Sequence, residues 1–223
     1  MTTARLLTLA VVATLFASTA SAVDERSIKG FTEAIIKLGP GVDPAEAEAV
    51  SVTSHRMSRQ LAREYRSVGP AVFQNFLINI GARQRGYCAH YARDIGTRLK
   101  EMRLKTLDLH WGAADAGTHL EHNVIVVTAI NQPFNEGYII DGWRNAGRLC
   151  WWPVLKDSSY KWKEDLQETA WLHDYERMAA NPAAPQSPAT SKPQQAQQKA
   201  AVQPKPVVPP KPTHGTASLE ISG

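Results

Sequence analysis

Gly86-Tyr87-Cys88-Ala89-His90-Tyr91-Ala92 is the stretch from which the rest of the chain is read. Beyond the glycine, apolar side chains recur at Cys88, Tyr91, Ala92, Ile95, Leu99 and Met102, a helical stripe that predicts a helix from Tyr87 to about Met102. Cys88 then lies in the first helical turn, on the face that looks toward the interior or a cleft floor. Two readings follow. Cys88 is a nucleophile, or it is half of a disulfide with Cys150, the only other cysteine.

Upstream of this stretch the periods are helical. Ser27 to Leu38 carries Ile28, Phe31, Ile35 and Leu38 at spacings of three and four, and stops at Gly39-Pro40. Asp43-Pro44 supplies an N-cap and a first-position proline, with Glu46 completing a box-like acidic pattern, for a helix running to about Tyr65. Its Arg56, Arg59, Arg63 and Arg66 lie three or four apart and read as a solvated face. Gly69-Pro70 opens a third, more apolar helix with Val72, Phe73, Phe76, Leu77 and Ile80, ending near Gly81.

Downstream the period changes. Leu104 to Trp111 reads as a strand and Gly112 to Thr118 as a polar loop. Glu121 to Ile130 contains the β-branched run Val124-Ile125-Val126-Val127, and Asn131 to Gly137 makes a turn into Tyr138-Ile139-Ile140-Asp141. Gly147 to Leu155 forms a fourth strand and Lys161 to Met178 a closing helix. N-terminal helices, with a central Cys-bearing helix packed on an antiparallel sheet, define an α+β fold.

The ends differ from this body. Arg5, the apolar run Leu6 to Phe16, and Ala20-Ser21-Ala22 predict a cleaved signal peptide over 1–22, with export to the periplasm or outside the cell. No other segment approaches the ~20 apolar residues of a membrane span, so no transmembrane segment is expected in the mature chain. The folded domain is assigned to 23–180. Nine of the fourteen prolines fall between Pro182 and Pro212, so 181–223 is expected to be a disordered Pro/Ala/Gln/Lys-rich tail with no identified partner. That tail carries Lys192, Lys199, Lys205 and Lys211 against Glu220, which accounts for most of the net charge of +4. The body is near neutral, which argues against nucleic-acid binding.

His122 and Asp141 come together by arithmetic. In a hairpin the numbers of facing residues sum to a constant, and the midpoint of 122 and 141 falls between Asn131 and Gln132, inside the turn. The pair thus sits near one end of two adjacent strands, close enough for a carboxylate to hold an imidazole. A cysteine nucleophile needs this: a helix N-terminus and an imidazolium favour the thiolate, and a carboxylate fixes the tautomer. The backbone N–H of Cys88 is one oxyanion donor and Gln84 a candidate second. Each residue also has a structural reading: His122 as a hydrogen-bonded strand residue, Asp141 as a turn residue before Gly142, and Cys150 as packed strand. A zinc site from His119, His122 and Asp141 or Cys88 is disfavoured, because strand positions three apart face opposite ways, and neither metal nor cofactor is expected. His90 and His110 read as surface or supporting groups. Trp143, with Trp151 or Trp152, and Tyr87 and Asn123 are candidates for the walls of a substrate cleft.

Gly86-Tyr87-Cys88-Ala89-His90-Tyr91-Ala92 opening a helix, His122-Asn123-Val124-Ile125-Val126-Val127 beginning a strand, and Ile139-Ile140-Asp141-Gly142-Trp143 ending the next resemble the transglutaminase-like branch of the papain-type cysteine protease fold, in a bacterial setting. The resemblance covers roughly 84–153, and the residue after His122 is Asn123 where that family often has an aromatic. It implies a Cys88 nucleophile, a His122 acid and base, and an orienting Asp141. The activity implied is that of a hydrolase or transferase working on an amide or peptide bond through a thioester, whether as peptidase, amidase or acyltransferase. By location, a cell-wall peptide or another exported protein is the expected substrate. The other readings are a non-catalytic cell-envelope binding module on the same fold with a Cys88–Cys150 disulfide, and then a zinc-dependent hydrolase.

Overall fold

The computed structural model describes residues 23–174. The expected signal segment, the tail and the end of the domain lie outside them. The first helix, α1, occupies 23–36. It is followed by α2 (Pro44–Glu64), α3 (Ala71–Asn79) and α4 (Cys88–Glu101). Five strands come next, β1 (Leu107–Ala114), β2 (His122–Ala129), β3 (Tyr138–Asp141), β4 (Cys150–Pro153) and β5 (Lys163–Glu164), before α5 (Leu166–His173). The strands form one antiparallel sheet in the order β4-β3-β2-β1-β5, so the protein is α+β.

All eight residues of β2 are buried, because this central strand is covered on both faces. Ile125 and Val127 join Tyr91, Ala92, Ile95 and Leu99 of α4 and Leu172 of α5 in the main core. Val124 and Val126 face the other way, against Phe134, Ile139 and Val154. Helices therefore cover one face. The short 3₁₀ turns Phe134–Glu136 and Val154–Lys156 cover the other.

The expected cap at Asp43 forms, with Oδ1 accepting from Ala45 N at 2.9 Å. Glu46 does something else. Its carboxylate accepts from Lys105 N (2.5 Å) and Thr106 N (2.8 Å), tying α2 to the segment that leads into β1. Arg59, read as part of a solvated face, instead forks onto Asp24 of α1 with two bonds of 2.8 Å. The segment expected to be one helix from Lys161 is divided. Lys163 and Glu164 pair with Ala113 and Gly112 of β1, and only at Asp165, whose carboxylate caps Gln167 N and Glu168 N, does a helix begin. β1 likewise runs three residues past the expected end at Trp111, because its pairing with β2 continues to Ala114 opposite His122 and β5 pairs Gly112 and Ala113 on the other edge.

Gly86 sets the entry to α4. Its φ is +121°, and a Cβ there would lie 2.6 Å from Nε2 of Gln74. Gln74 cannot yield: it is buried and spans Val68 N, Tyr65 O and Arg85 O. Replacing Gly86 by Ala is expected to destabilise the fold by about 1–3 kcal/mol through backbone strain. Gly41→Ala, where a Cβ meets nothing within 4 Å, serves as the control and should change stability by less than about 0.5 kcal/mol. Urea unfolding of the two variants checks this.

Candidate functional site

Cys88 is the first residue of α4, and Tyr87 is its N-cap in extended conformation. The cap is made in reverse. His90 Nδ1 accepts from Gly86 N at 3.0 Å and Tyr87 N at 3.4 Å, so the imidazole satisfies the donors that precede the helix. Burial, then the Arg85 charge, depress the His90 pKa to about 4 against a smaller opposing pull from Asp94, which keeps this acceptor unprotonated. Tyr87 OH donates to Asn79 Oδ1 at 2.5 Å and fastens the same turn to α3.

The β2–β3 register pairs Ile125 with Ile140 and Val126 with Ile139. Its constant is two greater than that implied by placing His122 directly opposite Asp141. The two residues are therefore diagonal neighbours on one face, still within reach of each other. His122 Nε2 bonds Asp141 Oδ2 at 2.8 Å. The same oxygen accepts from Arg144 Nε at 3.0 Å, while Oδ1 accepts from Trp143 N (2.9 Å) and Arg144 N (3.0 Å). Burial alone would raise the Asp141 pKa, but His122, followed by Arg144 and its backbone N–H, holds it below the ordinary carboxylate value. Asp141 is thus ionised, and His122 Nε2 is the donor.

The other ring nitrogen, Nδ1, is buried without a hydrogen bond. Cys88 Sγ donates to the carbonyl of Glu121, the residue before His122, at 3.6 Å. Burial would lower the His122 pKa. The Asp141 charge and hydrogen bond overcome it, the neighbouring Cys88 sulphur adds to them without making a direct bond to Nδ1, and the His122 pKa rises to about 9. Cys88 is 3 % exposed, and His122 and Asp141 are each 1 % exposed.

An aromatic enclosure surrounds His122, with ring centroids of Trp143 at 4.7 Å, Tyr160 at 4.6 Å and Trp162 at 5.2 Å. Arg144 reaches from Asp141 to Asp157 (2.6 Å to Oδ2) and lies over the Tyr160 ring. Asp157 also accepts from Ser159 N and Trp162 Nε1. One guanidinium therefore joins the carboxylate behind His122 to the 157–162 strap in front of it. Sequence reasoning missed Arg144, Asp157, Tyr160 and Trp162. The available signal was Arg144 three residues after Asp141 in a turn, and an Asp-Ser-Ser turn at 157–159.

Of the other candidates, Trp143 packs on His122 and donates to Asn75 Oδ1 at 3.2 Å. Asn123 is buried with its amide engaged at both ends, accepting from Trp111 Nε1 and donating to Glu121 Oε1. Gln84 and His119 are exposed. His110 is not a surface group. It is buried between Glu164 Oε1 and Thr128 Oγ1, linking β5, β1 and β2. Trp151 stacks on Phe31 at 5.1 Å as part of the core periphery, and Trp152 is exposed. Among the described residues no three His, Cys, Asp or Glu side chains are grouped to hold a metal ion. Cys88 and Cys150 are both free thiols. Cys150 faces Asp141 across β3 and β4 and its sulphur accepts from Asn145 Nδ2 at 2.8 Å. Burial, then the Asp141 charge, push the Cys150 pKa up to about 11 despite nearby arginines.

No family model matches this chain, and neither a curated protein nor a solved structure matches it.

The His122–Asp141 pair makes stability depend on pH. His122 has a folded-state pKa above its unfolded value, so its contribution is complete below about pH 6.5 and is lost as pH rises through about 9. The destabilisation caused by His122→Asn should therefore be largest near pH 6 and at least halve by pH 10. Urea midpoints of wild type and variant across this range measure it, and a deficit independent of pH would contradict the assignment.

Proposed function

We propose that the protein is a thiol enzyme of transglutaminase-like type that cleaves or exchanges an amide bond in a peptide or protein. The observation carrying this reading is Cys88 at the start of α4, beside an imidazole whose far nitrogen is held by a buried, fully hydrogen-bonded carboxylate. Three buried polar groups in this order have a chemical use that a packed core does not require. The resemblance of the Cys88, His122 and Asp141 segments to the papain-type fold supports the same roles, and the α+β architecture accommodates them.

In this reading the Cys88 sulphur, its proton passed to His122, attacks the amide carbonyl and the C–S bond forms. The backbone N–H of Cys88, in the first helical turn where such groups lack intrahelical partners, faces the developing oxyanion. The C–N bond then breaks and the amine leaves with the proton returned by His122. Water or a second amine attacks the thioester, giving its proton to His122 as the C–S bond breaks and the thiol is restored. Asp141 keeps the imidazole oriented throughout and takes up no proton.

Tyr160 and Trp162 cover His122, so substrate entry needs the 157–162 strap to swing away. The Arg144–Asp157 ion pair is the contact that such a movement breaks. The N-terminal signal pattern favours an exported enzyme and, by location, a cell-wall peptide or exported protein as substrate.

Iodoacetamide labelling followed by peptide mass spectrometry tests the site. Cys88 should be alkylated at least tenfold faster than Cys150 in mildly acidic buffer, and His122→Ala should remove most of that advantage. Isolation of the mature protein with a quantitative Cys88–Cys150 bridge, or equal labelling of the two thiols, would favour the non-catalytic binding module.

A further inference from the structure

The apolar helix that opens at Gly69-Pro70 turns most of its named apolar side chains outward. Val72, Phe73, Phe76 and Ile80 on and beside α3 are 66 %, 46 %, 42 % and 58 % exposed. At 100° per residue these four occupy a single arc of about 100°. The opposite side, Ala71, Gln74 and Ile78, is the buried one. Phe73 and Phe76 stack on each other at 5.9 Å, so the arc is a continuous apolar ridge and not four scattered side chains.

The segments that flank this ridge in sequence carry charge of one sign. No aspartate or glutamate occurs between Glu64 and Asp94, while Arg66, Arg83 and Arg85 all do. Arg66 follows the end of α2, just before α3, and Arg83 follows the end of α3. The two are joined, because Arg83 Nε donates to Arg66 O at 3.4 Å. The other side-chain bond of Arg83 goes to Ala82 O, again a carbonyl and not a carboxylate. Arg85, by contrast, is paired with Asp94 at 2.9 Å. The rim is thus cationic, and Arg66 and Arg83 carry most of its charge.

An outward aromatic and aliphatic arc with arginines at its border matches the interface of an anionic bilayer, where apolar side chains enter the acyl boundary and guanidinium groups meet phosphates. We propose that α3 is a membrane-contact helix, and that its partner is a lipid surface bearing anionic headgroups. Asn75 bonds Trp143 and Asn79 bonds Tyr87, so the flank of the same helix beside the arc touches the two residues flanking the Cys88–His122 pair. Docking through α3 would hold that site next to the bilayer.

Flotation of the full chain with vesicles tests the proposal. Wild type should float with phosphatidylglycerol/phosphatidylcholine vesicles and not with phosphatidylcholine alone. Phe73→Ser with Phe76→Ser should weaken binding at least tenfold, with far-UV circular dichroism and a cooperative melt showing that the variant still folds. Arg66→Glu with Arg83→Glu should weaken it similarly and reduce its salt sensitivity. Failure of the wild type to float would overturn the proposal. So would flotation that the phenylalanine pair leaves unchanged, since the lysine-rich tail would then be the binder. A wild-type dimer in sedimentation velocity that the same pair converts to monomer would overturn it too, by assigning the ridge to a second copy.

Discussion

Asp141 is a full negative charge with almost no access to water, and the arrangement around it follows from the need to compensate that charge. An unpaired buried carboxylate would protonate or unfold the region around it. Here four donors converge on two oxygens: two backbone N–H groups from its own turn, the Arg144 guanidinium and the His122 ring. The turn is possible because Gly142 lets the chain pass against α2 and α4, where a Cβ would come within 2.7 Å of Ser58 Oγ and 2.8 Å of Tyr91. The carboxylate thereby orients His122, anchors Arg144 and, through Arg144, draws Asp157 and the aromatic strap over the ring.

Each component of the site then has a separate mechanical support. Cys88 is held by the α4 entry, where Gly86, Gln74 and His90 settle the backbone. His122 is held by a strand buried on both faces. The two meet at the end of the sheet, where the thiol bonds the carbonyl that precedes His122. At the second cysteine burial, and then the neighbouring Asp141 charge, disfavour the thiolate.

Much of this was legible in the amino-acid sequence. The α4 stripe, the Asp43-Pro44 start and the Tyr138–Asp141 strand rest on local periodicity and capping, and such signals survive folding well. The hairpin arithmetic came within two residues of the observed register, near enough to bring His122 and Asp141 together although not face to face. Failures came where a long-range contact decided the outcome. Glu46 was taken by the lead into β1, Lys163 and Glu164 by an edge of the sheet, and Arg144 by two carboxylates, one of them thirteen residues away. The apolar count of α3 indicated a helix but not which side of it would face solvent, because the polar Gln74 was needed inside to bond three backbone groups.

The central claim is that a buried carboxylate holds a protonated imidazole next to the Cys88 sulphur, the imidazole carrying the proton that Cys88 gives up. Nitrogen-15 NMR of the His122 ring across pH 6 to 11 tests it most directly, in wild type and in Cys88→Ala. The account predicts both ring nitrogens protonated at pH 7, titration near pH 9 in the wild type, and a lower titration point when the sulphur is removed. A neutral imidazole at pH 7 in the wild type, or a titration untouched by loss of the sulphur, would contradict it.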